Sequence, residues 1–255
     1  MAISEQAKKY VEKMVTGPGP GLAETDPEFV ERFVNFAFDE VINEKSAEID
    51  DKTRFLAILS TLLGCSGLDE FRMILPAALN FGVTPVEAKE VVYQAVDYLG
   101  IGRVYPFLKI TNEILSARGV RLPLASQETT TEEDRLRKGN DAQIEIFGER
   151  IRDSWTTGPE NTRHISKWLA DNCFGDYYTR NGLTLAQREL CTFCYLMAQG
   201  GVEPQMKSHA MGNMNMGNSA AFLIKVVSQC LPYIGYPRSL NAVRVIGEAE
   251  EAMKK

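Results

Sequence analysis

The stretch 200–218, GGVEPQMKSHAMGNMNMGN, holds the residues most able to do chemistry together. It places a carboxylate, Glu203, six residues before an imidazole, His209, with an amine, Lys207, between them. A carboxylate and an imidazole held together can divide base and acid work, with proton affinities tuned by burial. Pro204 lacks an N–H and suits the first turn of a helix, so Glu203 is expected at the N-cap or just before it. On one continuous helix, Glu203 and His209 would stand about 120° apart at ~100° per residue. A helix starting at Pro204 frees Glu203 from that geometry. A carboxylate at a helix start and a lone helical histidine also have purely structural uses, through the helix dipole and through core hydrogen bonds. Asn213 and Asn215 are candidates for lining a polar pocket, and Gly217-Asn218 reads as a turn and cap.

A second candidate is redox chemistry. Cys191 and Cys194 form a C-x-x-C within LCTFCYLM. They fall in an apolar helical stripe, with neither a helix N-terminus nor a cationic neighbour to lower a thiol pKa, which favours core packing. Cys65 follows Gly64 at an expected helix end, ahead of Asp69 and Glu70, where acidic neighbours raise its pKa. Five cysteines, an odd and sparse count, argue against a disulfide framework. The two histidines, His164 and His209, are too few for a histidine-based HExxH metal site.

The elements that position these residues read as helical throughout. Phe55, Leu56, Leu59, Leu62 and Leu63 recur at helical spacing over 52–63. Thr84, Pro85 and Glu87 open a helix over 84–98 with an N-cap, a first-turn proline and a capping-box glutamate, and its apolar face is Val91, Val92, Ala95 and Tyr98. Another helix covers 103–118 and closes at Gly119. Alternating strand patterns are scarce.

The chain also repeats itself. TRFLAILSTLLGCSG (53–67) resembles QRELCTFCYLMAQGG (187–201), with Arg54 against Arg188. AALNFGVTP (77–85) resembles MGNMNMGNS (211–219), and YLGIGRVYPFLKITNEIL (98–115) resembles YIGYPRSLNAVRVIGEAE (233–250). The offset is 134 residues at Arg54/Arg188 and 135 at Tyr98/Tyr233. KKYVEKMVTGPG (8–19) matches ERIRDSWTTGPE (149–160) more loosely. Two similar all-α halves are expected, 1–118 and 131–255. The Ser/Thr-rich and acidic joint, 119–130, is read as a linker, with Thr130 or Thr131 capping the next helix. The Y-x-G corners at 98–103 and 233–238 mark sharp helix–helix turns. Each is followed by an arginine, Arg103 or Arg238, able to bind a substrate carboxylate.

Length and composition bound the function. The 255 residues are 44% hydrophobic and 24% charged, the profile of a globular chain with a sizeable core. Net charge is −6 and no Lys/Arg run stands out, which argues against nucleic acid as a partner. No apolar run approaches the ~18 residues of a membrane span, and the N-terminus lacks a signal-peptide core, so a cytoplasmic setting is the expectation.

Arg188-Glu189-Leu190, the GG-x-E-P-Q-x-K-x-H stretch at 200–209, the Gly217-Asn218-Ser219 turn and the Y-x-G-Y-P corner together resemble the carboxymuconolactone decarboxylase family, which includes the AhpD-like alkylhydroperoxidases. The resemblance implies two all-α AhpD-like helical bundle repeats in one chain. It implies homo-oligomers of paired domains, here a trimer forming a pseudo-hexamer, and active sites near helix ends at domain interfaces. Glu203 and His209 fall on the family's Glu and His positions in the second half. In the first half, Asp69 or Glu70 stands near the Glu position and Ile74 or Leu75 replaces the His, so that half is structural or lends residues to the other site. The family's peroxidase branch carries C-x-x-C where this chain has Val202 and Gln205.

The resemblance therefore implies a cofactor-free decarboxylase-like or isomerase-like enzyme acting on a small carboxylated lactone or related cyclic acid. Glu203 and His209 are its expected catalytic pair, and Lys207, Arg238 and Asn213 its expected substrate contacts. An AhpD-type peroxidase using Cys191, Cys194 or Cys65 is the first alternative, and a non-catalytic small-molecule-binding oligomer the second.

Overall fold

The structure, a computed structural model, describes residues 2–14 and 22–254. All regular structure among them is helical. The first half contains α1 (Glu5–Met14), α2 (Leu22–Thr25) and α3 (Pro27–Asn35), which runs through a π-helical turn at Phe36–Glu40 into α4 (Val41–Asn43). It continues with α5 (Asp51–Cys65), α6 (Leu68–Asn80), α7 (Pro85–Leu99) and α8 (Ile101–Ala117). The second half contains α9 (Arg135–Phe147), α10 (Arg163–Trp168) continuing as a π-helical segment Leu169–Tyr178, α11 (Leu185–Gln199), α12 (Glu203–Asn215) and α13 (Ala220–Met253). Gly235, at φ 75°, breaks α13 into two helices; Gly100, also at φ 75°, separates α7 from α8. Only glycine adopts that backbone readily, so the two Y-x-G corners are structural equivalents. α5, α6, α7 and α8 thus match α11, α12 and the two parts of α13.

Local signals explain most helix starts. Thr84 accepts from the Glu87 backbone N–H while the Glu87 side chain accepts from Thr84, a complete capping box, and Pro85 opens the helix. Thr184 and Gln187 form the matching box on α11. α9 departs from expectation. Its N-cap is Asp134, not Thr130 or Thr131, and the Asp134 carboxylate instead accepts from the Thr131 N–H at 2.8 Å. The joint is also docked rather than loose. Asn181 donates its N–H to Gln127 O at 2.9 Å, and the Thr129 hydroxyl donates to Thr179 O at 2.8 Å. The loose match of 8–19 with 149–160 sets α1 against a run of short 3-10 turns, and residues 15–19 lie outside the described residues.

α5 and α11 form the centre. Arg54–Gly64 and Arg188–Ala198 are buried without interruption, as expected of helices enclosed on all sides. They approach so closely that a Cβ on Gly64 would stand 2.5 Å from Tyr195 O. The halves share their cores. Cys191 and Tyr195 pack with Phe55, Leu59, Phe71 and Phe107 of the first half, while Ala57 packs with Leu223, Val226 and Val245 of the second. Buried polar pairs obey the same pseudo-twofold. Arg54 Nε donates to Gln229 Oε1 at 2.9 Å, and Arg188 Nη1 donates to Gln94 Oε1 at 3.0 Å. These equivalent residues therefore join each half to the other.

Candidate functional site

α11 and α12 bring an acid and an imidazole together, but the acid is Glu189. The 0%-exposed Glu189 carboxylate accepts from His209 Nδ1, with Oε2 at 2.9 Å and Oε1 at 3.2 Å. The Tyr178 hydroxyl donates to Oε1 at 2.9 Å. An ionised carboxylate only accepts, so the pair places a proton on Nδ1 and leaves the Nε2 lone pair uncommitted. Nε2 has no protein hydrogen bond among the described residues, and the His209 side chain keeps 11% of its surface open. The edges of Tyr98 and Phe147 wall the ring, with centroids at 5.4 and 5.5 Å.

Several sequence features hold this geometry. Gly200 and Gly201, at φ 72° and 73°, turn the chain from α11 into α12. Gly212 lies one turn beyond His209, and a Cβ there would come within 2.4 Å of Glu189 Oε2, so its missing side chain makes room for the carboxylate. The fully buried Asn213 amide donates to Glu189 O and His209 O, both at 2.8 Å, and its Oδ1 accepts from Asn218 at 2.9 Å. Asn215 donates to Ile146 O at 2.8 Å. Asn213 and Asn215 therefore clamp helices together rather than line a pocket, because their amides are spent on buried backbone carbonyls.

A hydrogen-bonded chain extends behind the acid. The Tyr178 oxygen lies 2.8 Å from the Tyr98 hydroxyl and 2.6 Å from the Thr192 hydroxyl, and Gln94 Nε2 donates to Thr192 at 2.8 Å. The Cys173 thiol meets Tyr98 at 3.8 Å. Burial pushes both phenols well above their ordinary pKa, and the nearby Glu189 charge adds to the effect, so both remain donors. Asp97, beside Cys173, is raised to about 7, first by burial. Tyr98 and Gln94 come from the first half, so that half lends residues to the second half's site.

The other sequence candidates lie elsewhere. Glu203 is the first residue of α12 behind the N-cap Val202. Its carboxylate accepts from Asn241 Nδ2 at 2.8 Å, so the structure does not bring it to His209. Lys207 is about 200° around α12 from His209, on the opposite face. Arg238 is exposed beside Gly200, and Arg103 donates to Gly64 O at 3.0 Å. His164 is exposed against Trp168. All five cysteines are free. Cys191 and Cys194 face different cores; burial raises Cys191 to about 11 and pushes Cys194 well above the ordinary thiol value. Cys65 is half-buried and also raised, again first by burial. Among the described residues no group of three or more His, Cys, Asp or Glu is arranged to hold a metal ion.

Glu189 carried a signal in the sequence that pattern reading passed over. It is the lone acid of a helix whose stretch beyond it, LCTFCYLMA, is almost wholly apolar, and such a charge stays buried only when hydrogen-bonded. Tyr178 and Thr192 carried none, because their role depends on contacts across the fold. By the repeat offsets, Glu189 and His209 correspond to Phe55 and Ile74, both in the first half's hydrophobic core.

The molecule is thus a duplicated all-helical bundle with one buried carboxylate–imidazole pair, completed by residues of the other repeat. Comparison with known proteins places it. The family model "Carboxymuconolactone decarboxylase family" matches residues 27–113 and 164–248, and the chain belongs to that family. The 4-carboxymuconolactone decarboxylase of Acinetobacter baylyi (strain ATCC 33305 / BD413 / ADP1) is 26% identical over 124 residues, 48% of this chain and 90% of that protein. The crystal structure of a Burkholderia xenovorans LB400 protein, assigned as a gamma-carboxymuconolactone decarboxylase subunit, superposes with a TM-score of 0.53. It shows 19% identity over 97% of each chain, a likeness of fold. No helix among the described residues is long and apolar enough to cross a membrane.

Proposed function

We propose that the chain is a decarboxylase-like enzyme that acts on a small carboxylated lactone or related cyclic acid by proton transfer at His209. The observation that carries this reading is the buried Glu189 carboxylate on His209 Nδ1, which leaves Nε2 free to exchange a proton with substrate. Loss of carbon dioxide from such an acid leaves a dienolate, and one carbon must then be reprotonated. His209 delivers that proton through Nε2, and Glu189 stabilises the imidazolium that precedes delivery. Tyr178 orients Glu189 from behind. Lys207 lies on the opposite face of α12 from His209 and Arg238 is exposed beside Gly200, so a carboxylate contact from either is assigned to a neighbouring copy. Exposed apolar residues at matched positions of the two repeats, Ile101 and Tyr105 against Tyr236 and Leu240, support the homo-oligomeric reading.

The test is turnover of 4-carboxymuconolactone, the compound named in the Acinetobacter relative, in deuterium oxide. The wild type should release carbon dioxide and place one solvent deuteron on the product, and His209→Gln should do neither while melting like the wild type. Full turnover by His209→Gln would overturn the assignment. The burial of Cys191 and Cys194 weighs against the peroxidase reading.

A further inference from the structure

A second site lies on the other side of α7, where the inter-repeat segment crosses it. A cavity of about 410 Å³ opens between α7, α8 and residues 122–127. Lys89, Tyr93, Asn112 and Arg180 form its polar wall, and Val86, Leu122 and Leu124 its apolar wall. Lys89 is the unusual member. It is only 7% exposed, yet its ammonium has no carboxylate within 4.0 Å among the described residues, and the one hydrogen bond shown for it goes to the neutral Asn112 Oδ1. An ammonium has three protons to place, and a buried one without a counter-ion is costly. Burial alone lowers its pKa, with no nearby charge opposing the shift.

The neighbouring charges are already matched. Arg180 holds Glu90 through Nε and Nη2 at 2.9 to 3.1 Å and lies 3.9 Å from Glu128, and Arg188 meets Glu90 at 3.1 Å, so two guanidiniums face two carboxylates. Lys89 is therefore the cation of the cavity that lacks an anion of its own, in a chain whose net charge is −6. Its repeat equivalent, Ile224, is an exposed apolar residue, so the lysine is not shared between the repeats.

We propose that this cavity binds an apolar organic monocarboxylate, whose carboxylate sits on Lys89 Nζ and whose body lies against Val86, Leu122 and Leu124. One uncompensated positive charge favours a monoanion over a phosphate dianion, and the apolar wall favours a hydrocarbon body over an inorganic ion. The site is separate from His209 and stands whether or not the decarboxylase reading does.

The experiment is titration of the full-length protein with 2-naphthoate, followed by the probe's fluorescence and by calorimetry, with 2-naphthalenemethanol as the neutral analogue. We expect one saturable site in the wild type and in His209→Gln, at least tenfold weaker binding in Lys89→Met, and at least tenfold weaker binding of the alcohol. In a second measurement on the wild type, 2-naphthoate should slow acetylation of Lys89, read by peptide mass spectrometry, at least fivefold. That readout stands if Lys89→Met fails to fold. Absence of saturable binding overturns the proposal. So does binding that survives Lys89→Met but is lost in His209→Gln, or acetylation of Lys89 that the probe does not slow.

Discussion

Replacing Glu189 by Gln tests the acid–base pair with little change of shape. The carboxylate makes two strong contacts, from His209 Nδ1 at 2.9 Å and from the Tyr178 hydroxyl at 2.9 Å, in a fully buried position. The amide keeps one acceptor for Nδ1–H but loses the charge that favours the imidazolium. A hydrogen bond to a charged group contributes about 1.5–3 kcal/mol, against roughly 1 for a neutral one. The difference of about 0.5–2 kcal/mol applies when His209 carries its extra proton. Each 1.36 kcal/mol is tenfold in rate, so kcat should fall roughly 2- to 30-fold. KM should change little, because Glu189 is buried behind the imidazole and touches no substrate. Steady-state carbon dioxide release from 4-carboxymuconolactone, with thermal melts to check folding, measures this. A Glu189→Gln enzyme with wild-type kcat would refute the idea that the buried charge drives the proton transfer, even if His209 proved essential.

Further predictions come from the same contacts. Asp97 is raised to about 7 from 3.8, so the folded chain holds a proton there that the unfolded chain releases. Stability from this group is therefore full below about pH 4 and falls as pH rises towards 7. The shift corresponds to at most ~4 kcal/mol at 1.36 per unit, and partial solvent access reduces this to about 2. Asp97→Asn should then gain stability over the wild type between urea melts at pH 4 and pH 8; an equal difference at both would contradict the burial argument. Gly212→Ala puts a Cβ 2.4 Å from Glu189 Oε2 and 2.9 Å from Ile146 Cγ2. It should cost ~1–3 kcal/mol in urea melts and lower kcat by displacing the carboxylate, as overpacking does. Thiol titration of the native protein should show Cys65 reacting first while Cys191 and Cys194 wait for unfolding; rapid native modification of the C-x-x-C would reopen the redox reading.

The fold was more legible than the site, for a physical reason. Helical periodicity, the Thr84–Glu87 capping box and the glycine corners are local, and each is written in consecutive residues. The duplication was legible because Arg54 and Arg188, and Tyr98 and Tyr233, keep nearly one offset. The acid partner of His209 was not. Sequence proximity pointed to Glu203, six residues away, and helix geometry already weighed against it. Glu189 lies twenty residues away on the preceding helix and reaches His209 only because Gly200 and Gly201 fold α12 back along α11 and Gly212 leaves room. The cap of α9 failed for a similar reason. Thr130 and Asp134 are both plausible caps in isolation, and the Thr130 hydroxyl is drawn off to Gly175 O at 3.1 Å.

The asymmetry between the repeats is the deeper result. The glycine corners recur because they turn one helix into the next, and the Arg–Gln pairs recur because they hold the halves to each other. A change in one would strain the shared α5–α11 centre. The positions of Glu189 and His209 carry no such duty, and in the first half they are Phe55 and Ile74, which fill space in the core. Yet the first half is not idle. Its Tyr98 walls the imidazole and hydrogen-bonds Tyr178, and its Gln94 fixes Thr192 beside the same hydroxyl. One repeat thus carries the carboxylate–imidazole pair and the other supplies part of its frame. A second half expressed alone would lose Tyr98 and Gln94 and expose the face of α11 that packs on α5.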